Sequence, residues 1–319
     1  MAEDVFMKYA RDRQTNVSAL HTAELLFEAL PWIKNLTGKT VVIKYGGAAM
    51  VDSDLRDMVM SDIVLLKLIG MNPVIVHGGG KAISAAMDKA GIPVEFKGGQ
   101  RVTTPEAMEI VREVLVGKVN VELVNAVNRH GHLAVGVSGV DAGTIMAKQY
   151  KPELERVGSV EKVSADYLED LISADYIPVV ATVGMGADGG YFNINADLAA
   201  GHIAAAVGAH KAIFLTDVDG LYEDFSDKDS LLSNLTLEEA EDMIATADKG
   251  MIPKLQSCVF ALKHGVFRTH IINGTTPHSL LLELLTDTGI GTVIHATREA
   301  YEYDYHPLGK LASRLSENI

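Results

Sequence analysis

The sequence predicts an α/β fold in which a mainly parallel sheet is covered by helices on both faces. Short apolar, β-branched runs alternate with stretches of helical periodicity along most of the chain, a pattern typical of parallel sheets with crossover helices. Two predicted strands, at 40–43 and 73–77, end in glycine-rich turns that lie about 30 residues apart, the length of a βαβ unit. Because parallel strands bring their carboxyl ends to one edge of a sheet, we expect both turns to meet there.

Composition and charge narrow the class of protein. The 319 residues are 48% hydrophobic and 22% charged, which provides for a large core and for two domains or one domain with two lobes. A net charge of −14 argues against a nucleic-acid partner. The one cysteine, Cys258, has no disulfide partner in the chain and fits a reducing compartment. The acidic start of the chain and the lack of a long apolar run predict a cytoplasmic protein without a membrane partner.

The first predicted element is a helix that precedes the sheet. Apolar residues recur at three- to four-residue spacing over residues 17–36, and Pro31 is expected to kink this helix or to end it early. Because the helix comes before the first strand, it could pack on a partner subunit. The alternative, that it covers its own domain, is left open by the sequence.

The strand at 40–43 ends in a charge and two glycines. Lys44 follows the apolar run directly, and Gly46 and Gly47 come one residue later. This arrangement places a cation and bare backbone N–H groups at the carboxyl end of a strand, where open α/β sheets bind their ligands. For this stretch taken alone, a solvated lysine before an ordinary glycine turn is the alternative.

The second strand, at 73–77, runs into Gly78-Gly79-Gly80 and a predicted helix at 82–90. Strand, glycines and helix in this order aim helix N-terminal N–H groups at an anion. Arg101 lies in a later loop; a lone loop arginine is usually solvated, but beside an anion site it becomes a candidate carboxylate clamp. The two glycine turns together therefore predict an anion-binding site at one edge of the sheet.

The rest of the chain continues the alternation of helices and strands. The predicted elements are helices at 54–69, 105–130, 164–174, 198–207, 236–247, 254–264 and 277–285, strands at 132–137, 177–183, 212–215, 268–272 and 292–294, and a hairpin-bearing excursion with few core signals at 141–163. Thr236 and Glu239 fit a capping box. Gly184, Gly186 and Gly189 match a dinucleotide fingerprint by spacing, but no helix follows directly, so a glycine-rich hairpin is the preferred interpretation.

The remaining polar residues indicate a reaction between anions. They comprise Arg101, the 193–197 segment, the 216–220 turn and the 250–254 segment, beside the two glycine turns. We find no activated serine or cysteine, no general base and no convincing metal set among the 11 histidines. Such a set suits phosphoryl transfer, which depends on positioning and charge stabilisation. A carboxylate acceptor is already ionised at neutral pH, so no base is needed. The obstacle is the repulsion between the acceptor and the γ-phosphate, which two lysines on either side of the transferred group would relieve.

These stretches together resemble the N-acetyl-L-glutamate kinases of the amino acid kinase family, over residues 17–296. The motifs that carry the resemblance are Lys44-Tyr-Gly-Gly47, His77-Gly-Gly-Gly80, Gly99-Gln-Arg-Val-Thr103, Tyr191-Phe-Asn-Ile-Asn-Ala-Asp197 and Gly250-Met-Ile-Pro-Lys254, in the family's order. The resemblance implies an open αβα sandwich and ATP-dependent phosphorylation of the γ-carboxylate of N-acetyl-L-glutamate, an early step of arginine synthesis. A sibling amino acid kinase acting on another small carboxylate, or a non-catalytic arginine-sensing relative, is the alternative.

The resemblance also implies roles for particular residues. Lys44 and Lys254 would stabilise the transferring phosphoryl group, and Asp197 would hold the two lysines in place. The substrate would be bound by Gly79, Gly80, Arg101 and Asn193, with Arg101 on its α-carboxylate. The phosphates and the nucleotide would be bound by Gly46, Gly47, Thr216, Asp217 and Gly220. Mg²⁺ would arrive on ATP, and no separate metal site is implied.

The helix at 17–36 further resembles that of the arginine-inhibited hexamers of this family, in which such helices interlace between dimers, so a dimer or a hexamer is expected. The implied arginine site comprises His270, Glu283, Gly289 and Gly291, with Glu283 paired to the guanidinium. The alternative is a simple closing strand–helix–strand with Glu283 solvated. The implied division is a tail and oligomerisation helix at 1–36, a lobe for acetylglutamate binding and dimerisation at 37–198, a lobe for ATP and arginine at 199–299, and a tail at 300–319.

Overall fold

The computed structural model describes residues 13–47, 50, 52–286 and 289–297. The predicted carboxyl-terminal tail at 300–319 and the first 12 residues of the predicted amino-terminal segment lie outside the described residues.

An eight-stranded sheet forms the centre of the described structure and is parallel except for one pair of neighbours, which confirms the predicted fold class. In spatial order its strands are β12 (Asn234–Thr236), β14 (Thr292–His295), β13 (Arg268–Asn273), β11 (Lys211–Thr216), β1 (Thr40–Tyr45), β2 (Asn72–His77), β8 (Ile177–Ala181) and β5 (Ala134–Ser138). The antiparallel pair is β13 with β14. Because β1 lies between β11 and β2, the strand that carries Lys44 is flanked on both sides.

Helices cover both faces of this sheet. They are α1 (Arg13–Leu36), α2 (Ser53–Leu68), α3 (Gly80–Ala90), α4 (Pro105–Arg112), α5 (Val121–Asn128), α6 (Asp166–Ser173), α7 (Ala196–Ala206), α8 (Leu237–Met243), α9 (Ile252–Lys263) and α10 (Ser279–Leu285). Along β1, Val41 and Ile43 belong to one apolar cluster and Val42 to the other, as expected when successive side chains point to opposite faces of a buried strand. Within the described residues, no helix combines the length and the apolar character needed to cross a membrane.

Two helices differ from their predicted form. α1 continues through Pro31 to Leu36 instead of ending early, because Trp32 and Leu36 are buried in the protein and offset the hydrogen bond that proline removes. The helix predicted at 105–130 contains a π-helical segment, Glu113–Asn120, between α4 and α5. A segment of this kind is frequent at functional sites, and apolar periodicity alone does not reveal it.

The first helix shows features of both predicted alternatives. Trp32 and Leu36, near its end, are 7% and 2% exposed and cover the helix's own domain. Leu26, Phe27 and Leu30 expose 63%, 75% and 53% of their surface. The carboxyl-terminal part of the helix therefore belongs to its own domain, while contact of its exposed apolar side with a partner subunit stays a prediction.

A small closed barrel lies beside the main sheet. Its strands are β6 (Ile145–Gln149), β7 (Val157–Val163), β9 (Val183–Met185) and β10 (Tyr191–Ile194). The hairpin of the 141–163 excursion is confirmed. Although few core signals were recognised there, Ile145 and Ala147 are buried. β9 and β10 pair antiparallel, which confirms the glycine-rich hairpin. The strand predicted at 177–183 divides between β8 and β9.

Arg101 lies on a strand rather than in a loop. β3 (Phe96–Lys97) and β4 (Gln100–Arg101) form a two-stranded hairpin, and Gly98 and Gly99 turn between them with φ of +58° and +81°, which glycine adopts without strain. The sequence missed this hairpin because two-residue strands carry no periodicity. The hairpin directs the Arg101 side chain towards α3, the helix that follows β2.

Candidate active site

The two glycine turns meet beside a cavity of about 610 Å³. β1 and β2 pair in parallel with Lys44 opposite Val76 and Tyr45 opposite His77, so the residues that follow each strand emerge at the same edge of the sheet. Both glycine turns line the cavity, together with Lys44, Arg101, Asn193 and Asp197. The predicted convergence of the turns is therefore observed.

Lys44 and Lys254 are joined by a single buried carboxylate. Lys44 Nζ lies 2.9 Å from Asp197 Oδ1, and Lys254 Nζ donates to Asp197 Oδ2 over 3.2 Å. The three side chains are 10%, 13% and 9% exposed, so solvent screens these contacts weakly. The lysines come from β1 and from the first turn of α9, which are 210 residues apart in the chain.

The position of Asp197 is fixed by two helices that lie side by side. Asn195 caps α7, its side-chain oxygen accepting the N–H of Asp197 over 2.9 Å. Ser257 on α9 donates its hydroxyl to the Asp197 carbonyl. Gly201 allows this approach, since a Cβ there would lie 2.8 Å from the Ser257 carbonyl oxygen. Asp197 and Lys254 are thus held by the same contact between α7 and α9.

The charges of this group favour an ionised carboxylate. Burial on its own would raise the pKa of Asp197, but the ammonium groups of Lys44 and Lys254 outweigh it and hold the pKa below its usual value. One negative charge therefore sits between two positive ones. The group carries a net positive charge at the edge of the cavity, which suits an anionic ligand.

The first glycine turn places backbone against the Lys44 side chain. A Cβ at Gly46 would lie 3.0 Å from Lys44 Nζ, so only a residue without a side chain lets the lysine fold over the turn without displacement. Gly47 has φ of +76°, a backbone conformation that favours glycine.

The second glycine turn begins α3 and is enclosed by the π-helical segment. A Cβ at Gly79 would lie 2.8 Å from Leu115 Cδ2 and 3.3 Å from Val119 Cγ2. Gly79 is the residue before the first turn of α3, and the first N–H groups of a helix have no intrahelical partner. These N–H groups and the helix dipole make the turn suitable for an anion.

Arg101 is buried at the other side of the cavity. Its side chain donates to the Gly80 carbonyl and to Ser84 Oγ, both over 2.8 Å, and its guanidinium carbon lies 4.7 Å from the centre of the Phe96 ring. Burial lowers the pKa of Arg101, with Asp88 opposing this effect, and a guanidinium stays a cation in proteins at neutral pH.

Asn193 lines the same cavity from β10. Its side-chain nitrogen donates to Thr103 Oγ1 over 3.1 Å, which fixes the orientation of the amide. The four residues predicted for substrate binding, Gly79, Gly80, Arg101 and Asn193, all line this cavity.

Of the residues predicted to bind the phosphates and the nucleotide, Gly46 and Gly47 line the cavity, whereas Thr216 ends the neighbouring strand β11, and Asp217 and Gly220 follow it. Phe214 pairs with Lys44, so Thr216 and Asp217 emerge beside the first glycine turn; Thr216 is buried and Asp217 exposed. Gly220 is different, because a Cβ there would lie 2.5 Å from Thr292 Oγ1. Gly220 serves close packing against β14. None of Thr216, Asp217 and Gly220 lines the cavity of about 610 Å³.

The four residues predicted for an arginine site meet between β13, α10 and the loop before β14, and none of them lines the cavity. Glu283 Oε1 accepts a hydrogen bond from His270 Nδ1 over 2.7 Å, and Oε2 accepts the N–H groups of Ile290 and Gly291 over 2.8 and 3.1 Å. A Cβ at Gly289 would lie 2.9 Å from the same Oε2. Glu283 is 6% exposed, so the alternative of a solvated Glu283 is wrong.

The pKa values of this pair agree with a neutral histidine that donates to a carboxylate. Burial lowers the pKa of His270 to about 4, Lys211 adds to this, and Glu283 opposes it. Burial would raise the pKa of Glu283, but the hydrogen bonds from His270, Ile290 and Gly291 hold it below its usual value.

Several residues at the site were not assigned a role from the sequence. Ser84 holds Arg101, Asn195 caps α7, and Ser257 holds the Asp197 carbonyl. Arg56 and Lys118 also line the cavity. Asn195 could have been recognised from its position two residues before Asp197, which is that of a helix cap. The contacts of Ser84 and Ser257 depend on chain packing, and local sequence carries no signal for them.

The chain is similar to known enzymes along most of its length. The amino acid kinase family matches residues 39–273. The acetylglutamate kinase of Corynebacterium urealyticum is 49% identical over 288 residues, which cover 88% of this chain and 94% of the relative. The acetylglutamate kinase of Streptomyces avermitilis is 47% identical over 285 residues, or 87% of this chain and 94% of the relative.

Solved structures agree with this relationship. The N-acetylglutamate synthase from Neisseria gonorrhoeae, complexed with coenzyme A and N-acetyl-glutamate, matches 86% of this chain with a TM-score of 0.76 and 25% identity. The chain spans 63% of the length of that synthase. Carbamate kinase from Giardia lamblia, bound to AMP-PNP, matches 82% of this chain and 99% of its own with a TM-score of 0.60; at 17% identity it shows the fold alone. The chain belongs to the amino acid kinase family, and within it to the acetylglutamate kinases.

Proposed function

We propose that the protein transfers the γ-phosphoryl group of ATP to the γ-carboxylate of N-acetyl-L-glutamate and so makes an acyl phosphate for arginine biosynthesis. The observation that carries this proposal is the buried Lys44–Asp197–Lys254 group, with Nζ-to-oxygen distances of 2.9 and 3.2 Å, beside two converging glycine turns. The names of the similar enzymes support the choice of substrate.

The chemistry asked of the protein is charge stabilisation. The acceptor carboxylate has a pKa of about 4 in water and is ionised at neutral pH, so no general base is required. The obstacle is repulsion between the acceptor and the phosphates. Lys44 and Lys254 offset this repulsion from two elements of the fold, and Asp197 keeps both ammonium groups at fixed positions. The N–H groups of Gly79 and Gly80 face the oxygens that carry the developing charge.

Arg101 and Asn193 bind the other end of the substrate. A guanidinium that already donates to the Gly80 carbonyl, Ser84 Oγ and Met87 Sδ is fixed in orientation, and its remaining N–H groups are available to the α-carboxylate. The Asn193 amide, held by Thr103, contacts the substrate beside it. Both side chains reach the cavity from the 37–198 lobe, to which we assign acetylglutamate binding and dimerisation.

We assign ATP to the 199–299 lobe, where Thr216 ends β11 and Asp217 follows it, next to the first glycine turn. Within the described residues, no group of three or more acidic, histidine or cysteine side chains converges as metal ligands, and both oxygens of Asp197 face lysines. Mg²⁺ would be carried by the nucleotide phosphates and would neutralise part of their charge. A cytoplasmic location agrees with ATP as substrate and with the single buried thiol of Cys258.

A hydroxylamine trap tests the reaction. The protein with ATP, Mg²⁺ and N-acetyl-L-glutamate should give an acyl hydroxamate when hydroxylamine is present. Glutamate, carbamate, aspartate and UMP in place of N-acetyl-L-glutamate should give far less ATP turnover. Turnover with one of them instead would establish a sibling kinase, and arginine binding without any turnover would establish a non-catalytic sensor.

We further propose that arginine inhibits the enzyme through Glu283 and His270. The Glu283 carboxylate accepts three hydrogen bonds, two of them from the 289–291 loop. If that loop moves aside, Oε2 loses both of its donors and can accept from a guanidinium. The N-acetylglutamate synthase from Neisseria gonorrhoeae has also been solved with coenzyme A and L-arginine, with a TM-score of 0.72 to this chain.

Glu283→Gln tests the arginine site, since it removes the charge and keeps the shape. It should abolish arginine inhibition while kcat without arginine stays within about twofold. Asp175→Asn, which removes an exposed carboxylate paired with Lys67, is the matched control and should keep the inhibition. Inhibition of the Glu283→Gln variant at the same arginine concentration as wild type would refute the site.

We propose a homo-oligomer, a dimer or a hexamer, in which α1 contacts a partner subunit. Leu26, Phe27 and Leu30 are together on one side of α1 with 53% to 75% of their surface exposed, a liability for a lone subunit. Phe27→Glu should lower the mass measured in solution and weaken arginine inhibition. Lys39→Glu, on the exposed turn after α1, is the control, and an unchanged mass for Phe27→Glu would contradict the role of the helix.

A further inference from the structure

The residue before the second glycine turn, His77, is fully buried and does not line the cavity. Its ring lies 3.0 Å from the Gly78 carbonyl oxygen through Nδ1 and 3.0 Å from the Asn120 side-chain nitrogen through Nε2. His77 itself is 0% exposed and Asn120 is 5% exposed. The proposed reaction uses neither side chain, yet both are polar and buried. Burial of a polar side chain costs free energy unless the side chain is hydrogen-bonded, as both are here.

The two partners of His77 define its proton. A carbonyl oxygen can only accept, so the Nδ1–H donates to Gly78 and Nε2 carries the lone pair. Asn120 then donates one N–H to His77 Nε2 and the other to the Val179 carbonyl over 2.7 Å. Burial lowers the pKa of His77 to about 4, with the Gly78 hydrogen bond opposing it. This agrees with a neutral ring whose Nδ1–H faces an acceptor and whose Nε2 faces a donor.

The hydrogen bond to Gly78 has a consequence at the next residue. A trans peptide is planar, with its C=O and N–H on opposite sides. Because the Gly78 carbonyl points to the His77 ring, the Gly79 N–H in the same peptide points away from that ring. Gly78 and Gly79 both line the cavity, whereas His77 does not. An N–H that points away from the ring therefore agrees with an N–H that points into the cavity.

The other contacts of this unit prevent it from turning. The hydroxyl of Thr182 donates to the His77 carbonyl over 3.2 Å. Leu115 and Val119, from the same π-helical segment as Asn120, close on Gly79. Gly136 leaves room for the Asn120 amide, since a Cβ there would lie 2.2 Å from Asn120 Oδ1.

We propose that His77, held by Asn120, is a positioning residue that turns the Gly79 N–H into the cavity, where it donates to the oxyanion that develops during phosphoryl transfer. This inference rests on the proposed kinase function. A donor aimed in advance at developing charge lowers the barrier without a cost of reorientation. The π-helical segment is the element that brings Asn120 to His77.

Two substitutions separate the two nitrogens of the ring. His77→Asn places an amide N–H near the position of Nδ1 and keeps the bond to Gly78, while it loses the contact with Asn120. His77→Gln reaches the position of Nε2 and loses the Nδ1 donor. We expect His77→Gln to lower kcat at least tenfold more than His77→Asn, with the KM for N-acetyl-L-glutamate changed less than threefold in both, because Arg101 and Asn193 hold the substrate.

Gly136→Ala is a remote second variant. The added methyl group displaces the Asn120 amide without touching the cavity, so it should lower kcat and leave KM unchanged. His202→Asn and His202→Gln are the controls, since His202 on α7 lies 2.8 Å from the Leu198 carbonyl through its own Nδ1 and stacks on Phe260 outside the cavity. Both should keep kcat within twofold. Equal kcat for His77→Asn and His77→Gln, or a loss confined to KM, would overturn the proposal.

Nuclear magnetic resonance of the ¹⁵N-histidine-labelled wild-type protein gives a result that does not depend on activity or on a folded variant. The His77 ring should be the neutral Nδ1–H form from pH 8 to pH 5. An Nε2–H ring, or a ring protonated at pH 7, refutes the positioning role. A wild-type protein that makes no acyl hydroxamate but shows the Nδ1–H ring would instead refute the proposed reaction and not the geometry.

Discussion

Replacing Lys44 by methionine is the most direct test of the charged group at the cavity. Methionine has a similar length and no charge, so the strand and the space are kept while the ammonium group is lost. Asp197 is left with Lys254 alone, at 3.2 Å. The test therefore asks what one of the two cations contributes to stability and to the reaction.

The stability effect follows from the distance and the burial. At 2.9 Å the Lys44–Asp197 attraction is about 6 kcal/mol with an effective dielectric constant near 20. Much of this is offset, because Lys44 no longer has to leave water. Breaking a buried pair outright costs about 3–5 kcal/mol, and here Lys254 still compensates the carboxylate. We expect a loss of about 2 kcal/mol in the free energy of unfolding, measured by urea denaturation at pH 7.

The effect on the reaction should be much larger than the effect on stability. Removing one donor to a developing negative charge lowers kcat by about 10²–10³, and Lys44 carries a full charge at the cavity. The hydroxamate assay should show this loss at saturating N-acetyl-L-glutamate. Because Lys44 and Lys254 share Asp197, the losses of the single Lys44→Met and Lys254→Met variants should not add in the double variant.

Lys67→Met is the matched control. Lys67 is also buried, with a side chain 4% exposed and 2.6 Å from Asp175, but it lies outside the cavity. It should lose stability and keep kcat within about twofold. A Lys44→Met variant that keeps more than a third of the wild-type kcat would refute the catalytic role of Lys44, as would a Lys67→Met variant that loses as much activity as Lys44→Met.

Three other predictions follow from the geometry. Arg101→Lys loses the planar fork of donors and should raise the KM for N-acetyl-L-glutamate about 10–100-fold while kcat changes little; unchanged KM in initial-rate measurements would contradict the clamp. Gly79→Ala places a methyl group 2.8 Å from Leu115 Cδ2 and should lower kcat at least tenfold, partly restored by Leu115→Ala in the same chain. His77 and His270 have pKa values lowered to about 4, against about 6.5 in the unfolded chain. The unfolded chain therefore binds more protons between pH 6.5 and pH 4. As the pH is lowered through that window, the free energy of unfolding should decrease by up to about 3 kcal/mol for each histidine. A urea midpoint that stays constant from pH 7 to pH 4.5 would be inconsistent with two neutral buried rings.

The edge of the sheet was predictable because its signals are local. A buried β-branched run that ends at Lys44, and a second that ends at Gly78, each identify the carboxyl end of a strand. Only the parallel pairing of the two strands is required to bring the ends together, and the helical pattern between them predicts that pairing. The register of Lys44 opposite Val76 then places both turns at one cavity without further information.

The environment of the residues predicted to bind arginine could not be predicted in the same way. The resemblance to arginine-inhibited relatives implied that His270, Glu283 and Gly291 lie together, and they do. Whether Glu283 is open or enclosed depends on the loop at 289–291, whose N–H groups reach back to the carboxylate. Sequence spacing does not encode the direction of a backbone N–H, so solvation of the carboxylate could only be decided from coordinates.

The glycines show which roles can be predicted from local sequence and which cannot. Gly47 could be recognised in sequence as a turn residue, and its φ of +76° requires only local geometry. Gly136 and Gly201 have no local turn to explain them, because what they accommodate, the Asn120 amide and the Ser257 backbone, comes from helices elsewhere in the chain. A glycine in a strand or a helix indicates that another part of the chain packs closely against it, but only the three-dimensional structure shows which group that is. These two close approaches hold the groups that aim Gly79 and Asp197 at the cavity, so part of the site's geometry is set by residues that never contact it.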